Sequence, residues 1–278
     1  MRLAVLSGKG GAGKTFVAAN LAAAAGTAVY VDCDVEEPNG RLFWQPEGVT
    51  QQPVCTALPA FDPDKCTGCR QCVDFCRFHA LVFLKDKPML FPEVCHSCGG
   101  CALVCPADAV RETQKQIGHL EIGASGPATI VTGVLNPGEA SGVPVIAAAL
   151  QQAAALGDTV VVDCPPGSAC PVVESVRQAD GCILVAEPTA FGFDNFCMVY
   201  ELVRLLGKPC AVVINKLDAE YPPLEQFCAA HQVPILARIP YRPEVAASVA
   251  NGTLLARQSS EAAALFRDIL EKMGGLLP

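Results

Sequence analysis

Short apolar runs recur along the chain with helix-period stretches between them, and this alternation sets the first expectation. Leu3–Leu6, Ala28–Asp32, Thr129–Thr132, Thr159–Asp163, Cys182–Ala186, Ala211–Asn215 and Ile235–Ile239 read as strands. They are continuous apolar runs, as suits strands covered on both faces of a parallel sheet. Phe16–Ala25, Val145–Leu156, Asn195–Leu206, Pro243–Ala250 and Ser260–Lys272 read as the intervening helices. In the last of these Leu265, Phe266, Ile269, Leu270 and Met273 form one stripe, with an acidic opposite face. That pattern predicts packing on a sheet rather than on a membrane surface. Strand–helix alternation at this spacing predicts an α/β fold with a mostly parallel, doubly wound sheet.

One stretch breaks the pattern. From Pro59 to Gln116 the chain is rich in Cys, Pro and charge and lacks long Val/Ile/Ala runs. It reads as a small domain at 59–116 inserted into a larger one formed by 1–58 and 117–278. Gln51–Pro53 and Gly123–Pro127 are the expected connectors.

Composition then narrows the function. The 278 residues are 51% hydrophobic and 17% charged, which excludes a disordered chain. Lys plus Arg number 20 against 28 Asp plus Glu, a formal charge of −8. An acidic balance argues against sequence-independent nucleic-acid binding, DNA partition included, and against an anionic membrane surface. No apolar run approaches the roughly 18 residues of a membrane span. Met1-Arg2-Leu3 leads straight into strand-like sequence, so no cleaved leader is expected.

The sixteen cysteines change the picture most. Eight of them form two runs, Cys66-x-x-Cys69-x-x-Cys72-x-x-x-Cys76 and Cys95-x-x-Cys98-x-x-Cys101-x-x-x-Cys105-Pro106. The other eight stand singly. Cys33, Cys55, Cys182, Cys197, Cys210 and Cys228 are expected to be small buried hydrophobes, and Cys164 and Cys170 are left open. Disulfides are the weaker explanation for a chain long enough to build an ordinary core, and metal is the stronger.

A second motif follows the first strand. Gly8-Lys9-Gly10-Gly11-Ala12-Gly13-Lys14-Thr15 matches G-x-x-x-x-G-K-[ST] and opens a helix, the setting in which backbone N–H groups cradle phosphates. Lys14 is expected on the β/γ-phosphates and Thr15 on Mg²⁺. Asp32, Asp34 and Asp163 end two strands, where ligands bind in open α/β sheets. Asp163 is the expected outer Mg²⁺ partner, and Asp34 the group that orients attacking water.

With Lys9 ahead of the glycines, the loop resembles the variant phosphate loop of the MinD/ParA/nitrogenase-iron-protein ATPases. Asp32-Cys-Asp34, Asp163-Cys-Pro-Pro-Gly167, Glu187-Pro-Thr189, Val213-Ile-Asn215-Lys216 and Ile239-Pro-Tyr-Arg-Pro243 extend the resemblance over almost all of the chain outside 59–116. The resemblance implies an ATP-dependent homodimer, or a heterodimer with a paralogue, in which Lys9 reaches the partner's nucleotide. It also implies that Asp34 and Gly167 belong to nucleotide-sensing switches and that Asn215 helps to hold adenine.

The paired cysteine runs are similar to the bacterial two-cluster ferredoxin pattern, in which the fourth Cys of each run serves the other cluster. Carried over, Cys66, Cys69, Cys72 and Cys105 hold one [4Fe–4S] cluster, and Cys95, Cys98, Cys101 and Cys76 hold the second. Zinc is the competing reading of the same cysteines. Arg77 replaces the usual Pro after the first run and is expected to raise the potential of its cluster if it lies close.

Together the motifs resemble the ferredoxin-containing MinD-family ATPases, relatives of cluster carriers. Three functions compete: ATP-controlled electron transfer to or from a redox partner, ATP-controlled iron–sulfur cluster carriage, and a positioning ATPase with structural or redox-sensing clusters. Cys170 lies seven residues after Asp163, at the spacing of one bridging ligand of the nitrogenase iron protein, but Ala140 stands where the other would align. No C-x-x-C pair exists outside 59–116, which argues against a bridging cluster. Oxygen-sensitive clusters imply a reducing cytoplasm.

Overall fold

The computed structural model describes residues 1–277. The chain begins with β1 (Arg2–Leu6), α1 (Lys14–Ala24), β2 (Val29–Asp32) and the short α2 (Gly40–Trp44). Next comes a long strand, β3 (Glu47–Phe61), then the cysteine-rich segment with α3 (Gln71–Phe75), β4 (Leu81–Leu84), β5 (Lys87–Leu90) and α4 (Gly100–Leu103). A second long strand, β6 (Val110–Ser125), returns and turns into β7 (Ala128–Leu135). Alternation then resumes with α5 (Val143–Leu156), β8 (Val160–Asp163), α6 (Cys170–Arg177), β9 (Gly181–Ala186), α7 (Ala190–Leu205) and β10 (Cys210–Leu217). The chain closes with α8 (Pro222–Ala230), β11 (Ile235–Pro240), α9 (Pro243–Ala250), α10 (Leu255–Gln258) and α11 (Ser260–Gly274).

Nine strands form one sheet in the order β11-β10-β9-β1-β8-β2-β7-β6-β3. The seven from β11 to β7 pair in parallel, and β6 and β3 add an antiparallel edge. All seven strands expected from apolar runs are present. Their side chains alternate between two cores, because neighbouring residues point to opposite faces. One core lies around α5, α6 and α7, and the other around α1 and α11. The α11 stripe is buried as its spacing predicts: Phe266, Ile269, Leu270 and Met273 lie in the second core, with Leu265 packed against it. No helix among the described residues is long and apolar enough to cross a membrane.

The expected connectors are not loops. Gln51–Pro53 lies in β3 and Gly123–Ser125 in β6, with only Gly126 and Pro127 in the turn before β7. β3 and β6 pair from Glu47/Ala124 to Phe61/Val110, so a continuous ribbon carries the cysteine-rich segment out from the sheet edge. Cys55 is exposed on this ribbon, which corrects its expected burial, whereas Cys33, Cys164, Cys182 and Cys228 are buried.

The cysteine-rich segment repeats itself. Cys95 follows Cys66 by 29 residues, and the same offset relates α4 to α3. Left-handed backbone recurs at matched positions: Gly68 with Ser97, Arg70 with Gly99, and His79 with Asp108. The halves cross over, since Asp62 N–H donates to Ala109 O at 2.7 Å and the matching Phe91 N–H donates to Ala80 O at 2.8 Å. Each half therefore ends against the beginning of the other.

Candidate functional site

The phosphate loop leaves β1 at the centre of the sheet and enters α1, whose first turn is tied by Val17 N–H to Gly13 O at 3.0 Å. Gly13 has φ +94°, and a Cβ there would lie 2.1 Å from Asn215 Nδ2, so both conformation and space require glycine. The loop is held from beneath: Asn215 Nδ2 donates to Ala12 O at 2.8 Å, and Lys216 Nζ donates to Gly11 O at 2.6 Å. Gly167 has φ +89°, and its N–H donates to Ser7 O at 3.1 Å.

A cavity of about 650 Å³ opens over this loop. Lys9, Gly10, Gly11, Gly13, Lys14, Thr15, Asp34 and Asn215 all line it, so most of the residues expected from the motif are gathered there. Gly8, Ala12, Asp163 and Gly167 are not on its wall. The far wall was not legible in the phosphate motif: Phe43 comes from α2, Tyr241 and Arg242 from the link between β11 and α9, and Val245 and Val249 from α9. An apolar wall opposite a glycine-rich anion cradle suits a nucleotide, with phosphates at one end and a base at the other.

Beneath the cavity is a buried polar network. The in-register pairing of Asp32 with Asp163 sets two acids side by side at the ends of β2 and β8. Lys14 Nζ donates to Asp163 Oδ1 at 2.5 Å, with side chains only 6% and 1% exposed. Burial opposes the charge on Lys14, but Asp163 and the nearby Asp32 and Asp34 outweigh it and leave its pKa raised. Tyr30 Oη donates to Asp163 Oδ2 at 2.8 Å. Burial and the adjacent carboxylates push the Tyr30 hydroxyl far above its ordinary range, so it remains a donor. Asp32 accepts from the N–H groups of Gly40 at 2.8 Å and Asp34 at 3.1 Å. Burial and the neighbouring Asp163 raise its pKa to about 7, against the lowering effect of Lys14 and the two N–H groups. Asp34 is partly buried and also raised, chiefly by burial. Neither Tyr30 nor the position of Asp32 as a brace for α2 stands out in the sequence, because both act through partners distant along the chain or in a loop.

Lys9 does not point freely from the loop. Its Nζ lies 2.8 Å from Glu187 Oε2 and 5.2 Å from the centre of the Phe191 ring.

The eight clustered cysteines divide between two smaller cavities. Cys66, Cys69, Cys72 and Cys105 line one, and Cys76, Cys95, Cys98 and Cys101 line the other. The crossover of the repeat explains the exchange of the fourth cysteine: Ala109, four residues after Cys105, is bonded to the start of the first half. The left-handed residues turn each loop so that its three thiols surround a space. Ala109 N–H also donates to Cys105 Sγ at 3.3 Å. Among the described residues, no three His, Cys, Asp or Glu side chains converge closely enough to chelate a single ion. Arg77 is exposed and lines neither cavity, so the condition for its effect on a cluster is not met there. Cys170 is exposed at the start of α6.

Comparison with known proteins agrees with this geometry. An uncharacterised protein of Methanocaldococcus jannaschii is 28% identical over 283 residues, covering 98% of this chain and 96% of the relative. An uncharacterised ferredoxin of the same organism is 38% identical over 53 residues, 18% of this chain and 69% of the ferredoxin. The fold is similar to that of the septum site-determining protein MinD of Pyrococcus horikoshii in complex with Mg-ADP. The TM-score is 0.60 at 18% identity, covering 98% of this chain and 94% of that one. The CobQ/CobB/MinD/ParA nucleotide-binding domain matches residues 3–255. Spanning the strand–loop–helix cradle and nearly the whole sheet around it, that match makes this chain a member of the CobQ/CobB/MinD/ParA family of nucleotide-binding proteins.

Proposed function

We propose that the chain is an ATP-binding and ATP-hydrolysing iron–sulfur protein that couples its nucleotide state to electron transfer through two [4Fe–4S] clusters. The observation that carries this reading is the presence, in one chain, of a phosphate-loop cavity and two cavities each lined by four cysteines. In the nucleotide site Lys14 exchanges Asp163 for the β/γ-phosphates. Thr15 supplies a hydroxyl to Mg²⁺, and Tyr30 keeps Asp163 aimed once Lys14 has left. Asp34, on the cavity wall, orients the attacking water. Lys9, freed from Glu187, completes the charge around the γ-phosphate in an ATP-dependent dimer.

In the segment 59–116, taken as a ferredoxin-like domain, each set of four thiolates would hold one cluster. Two runs of this spacing, each with its fourth cysteine in the other cavity, suit the corners of two cubanes better than a mononuclear zinc site. The 53-residue ferredoxin likeness is close to the 58-residue length of this segment. The clusters would supply one-electron transfer.

A set of contacts running from the nucleotide site towards the cysteine-rich segment supports the coupling. Val35 follows Asp34, and its carbonyl accepts from Leu135 N–H at 2.9 Å. Gly142 packs so closely on Val35 that a Cβ would lie 2.6 Å from Val35 Cγ2. Between Leu135 and Gly142 lie Glu139, Ala140 and Ser141, which face Cys95, His96 and Ser97 across a small cleft. Movement of Asp34 on nucleotide binding would thus reach the wall of the cleft that the second cysteine loop shares.

The test is an anaerobic ATPase assay together with cluster redox titration, with and without ATP and Mg²⁺. Nucleotide-dependent potentials or electron-transfer rates are expected. Potentials and rates that ignore nucleotide would overturn the coupling, and ATP-driven loss of clusters to an apo-acceptor would replace it with cluster carriage. Zinc in place of iron and labile sulfide would remove the redox half altogether.

A further inference from the structure

The two halves of the cysteine-rich segment match in backbone but not in charge. Arg70 and Gly99 occupy equivalent left-handed positions, with φ +65° and +71°. At the first position Arg70 lines the Cys66 cavity, and its guanidinium lies 5.1 Å from the centre of the Phe83 ring, which also lines that cavity. At the second, the space beside Gly99 is occupied by Glu112, whose Oε1 would lie 3.3 Å from a Cβ added there. Glu112 lines the Cys95 cavity.

The charged lining is therefore one arginine in the first cavity and one glutamate, with His96, in the second. Three nearby cations are drawn away from the cavities by ion pairs. Arg111 pairs with Asp62 at 3.2 Å, Lys65 lies 3.9 Å from Asp108, and Lys115 pairs with Glu139 at 2.8 Å. Among the described residues, neither Arg70 nor Glu112 has an ion-pair partner.

Reduction adds one negative charge to a cluster. A neighbouring cation favours that state and a neighbouring anion opposes it. We infer that Arg70 and Glu112 set the two cysteine sites at different redox potentials, with the site of Cys66, Cys69, Cys72 and Cys105 the easier to reduce. The inference rests on the two-cluster reading above and adds a polarity to it. The Cys95 loop faces the nucleotide-binding body through the Glu139–Ser141 cleft, whereas the Cys66 cavity does not share that cleft. An electron would therefore rest on the site away from the body and would have to climb in energy to reach the one that borders the Glu139–Ser141 cleft.

The test is a redox titration of the intact anaerobic protein followed by electron paramagnetic resonance, with dithionite supplying one electron per cluster. Two waves are expected in the wild type. Arg70→Gln should lower the upper wave, and Glu112→Gln should raise the lower one. Each change should shift the reduced-to-oxidised ratio at fixed potential by up to about tenfold, equivalent to about 59 mV for a one-electron couple. Arg70→Gly removes the charge while placing at position 70 the residue found at 99, and should act like Arg70→Gln. Arg70→Lys should largely restore the upper wave. Raising salt should narrow the gap, because the screening length falls from about 30 Å at 0.01 M to about 3 Å at 1 M. Superimposed waves, or Arg70 variants that move the lower wave or neither, would overturn the polarity and leave the two-cluster reading intact. Iron and sulfide contents below two clusters would overturn that reading and the polarity with it.

Discussion

The nucleotide-binding body and the cysteine-rich segment are held together by different means. The body has two continuous cores, one on each face of a sheet whose central strands are wholly buried. Between residues 59 and 116 the buried hydrophobic residues are Ala80, Leu81, Ala109 and Val110 alone, and neither main core extends there. Phe75, Phe78, Leu84, Met89, Phe91 and Leu103 are exposed. A lobe of that size with so little buried apolar surface needs another source of stability, and bound metal is a common one. The body can thus keep its shape by packing alone, while on the proposed reading the segment's shape would depend on the clusters its cysteines hold.

The largest expected effect would break this contrast outright if it failed. Chelating iron from the oxidised protein should make residues 62–109 at least about a hundredfold more sensitive to protease, a loss of roughly 2.7 kcal/mol of local protection. The body should melt as before. Limited proteolysis with mass mapping checks both halves, and a segment that stays resistant would show that packing alone suffices.

Lys14→Ala should act in the opposite place. Loss of a preorganised cation at the phosphate should slow ATP hydrolysis by about 10²–10³-fold or more. Leaving Asp163 buried without its cation should cost roughly 3–5 kcal/mol of body stability. Phosphate release, denaturant unfolding and iron content together test this, and the iron content should not change.

The pH dependence of the body sharpens the contrast further. Asp32 has its folded pKa raised to about 7. Between its ordinary value and pH 7 the folded form holds the proton more tightly than the unfolded form does. Its contribution to stability therefore falls as pH rises through that window and levels off above about pH 7, with a slope of at most about 1.4 kcal/mol per unit. Unfolding of wild type and Asp32→Asn between pH 5 and 8 should differ by this slope, and parallel curves would exclude it.

Tyr30→Phe is the mildest change. It keeps the ring against Trp44, 5.5 Å between centres, and removes only the hydroxyl bond to Asp163. A hydrogen bond to a charged group is worth about 1.5–3 kcal/mol. A weaker Mg²⁺ dependence of ATPase activity is expected, because Asp163 loses one of its two holds. An unchanged Mg²⁺ titration would make Tyr30 a packing residue only.

What was legible in the sequence followed from locality. The phosphate loop puts its cradle, Lys14 and Thr15 within eight residues, and the first three cysteines of each run line one cavity. The parallel strands announce themselves because burial on both faces leaves only apolar residues. β3 and β6 gave no such signal: Glu47–Pro53 is an exposed polar edge, held by pairing with β6 rather than by a buried face.

Sequence by itself determined the chemical inventory, an anion cradle and two cysteine sets, because spacing within a single turn fixes which atoms can share a ligand. Tertiary structure alone decided the couplings. Tyr30 meets Asp163 across 133 residues of chain, Lys9 meets Glu187 between separate strand ends, and Glu112 enters the cavity of a cysteine loop from a neighbouring strand. Such contacts depend on strand order and on the crossover of the repeat, which distribute residues in space without leaving a pattern along the chain.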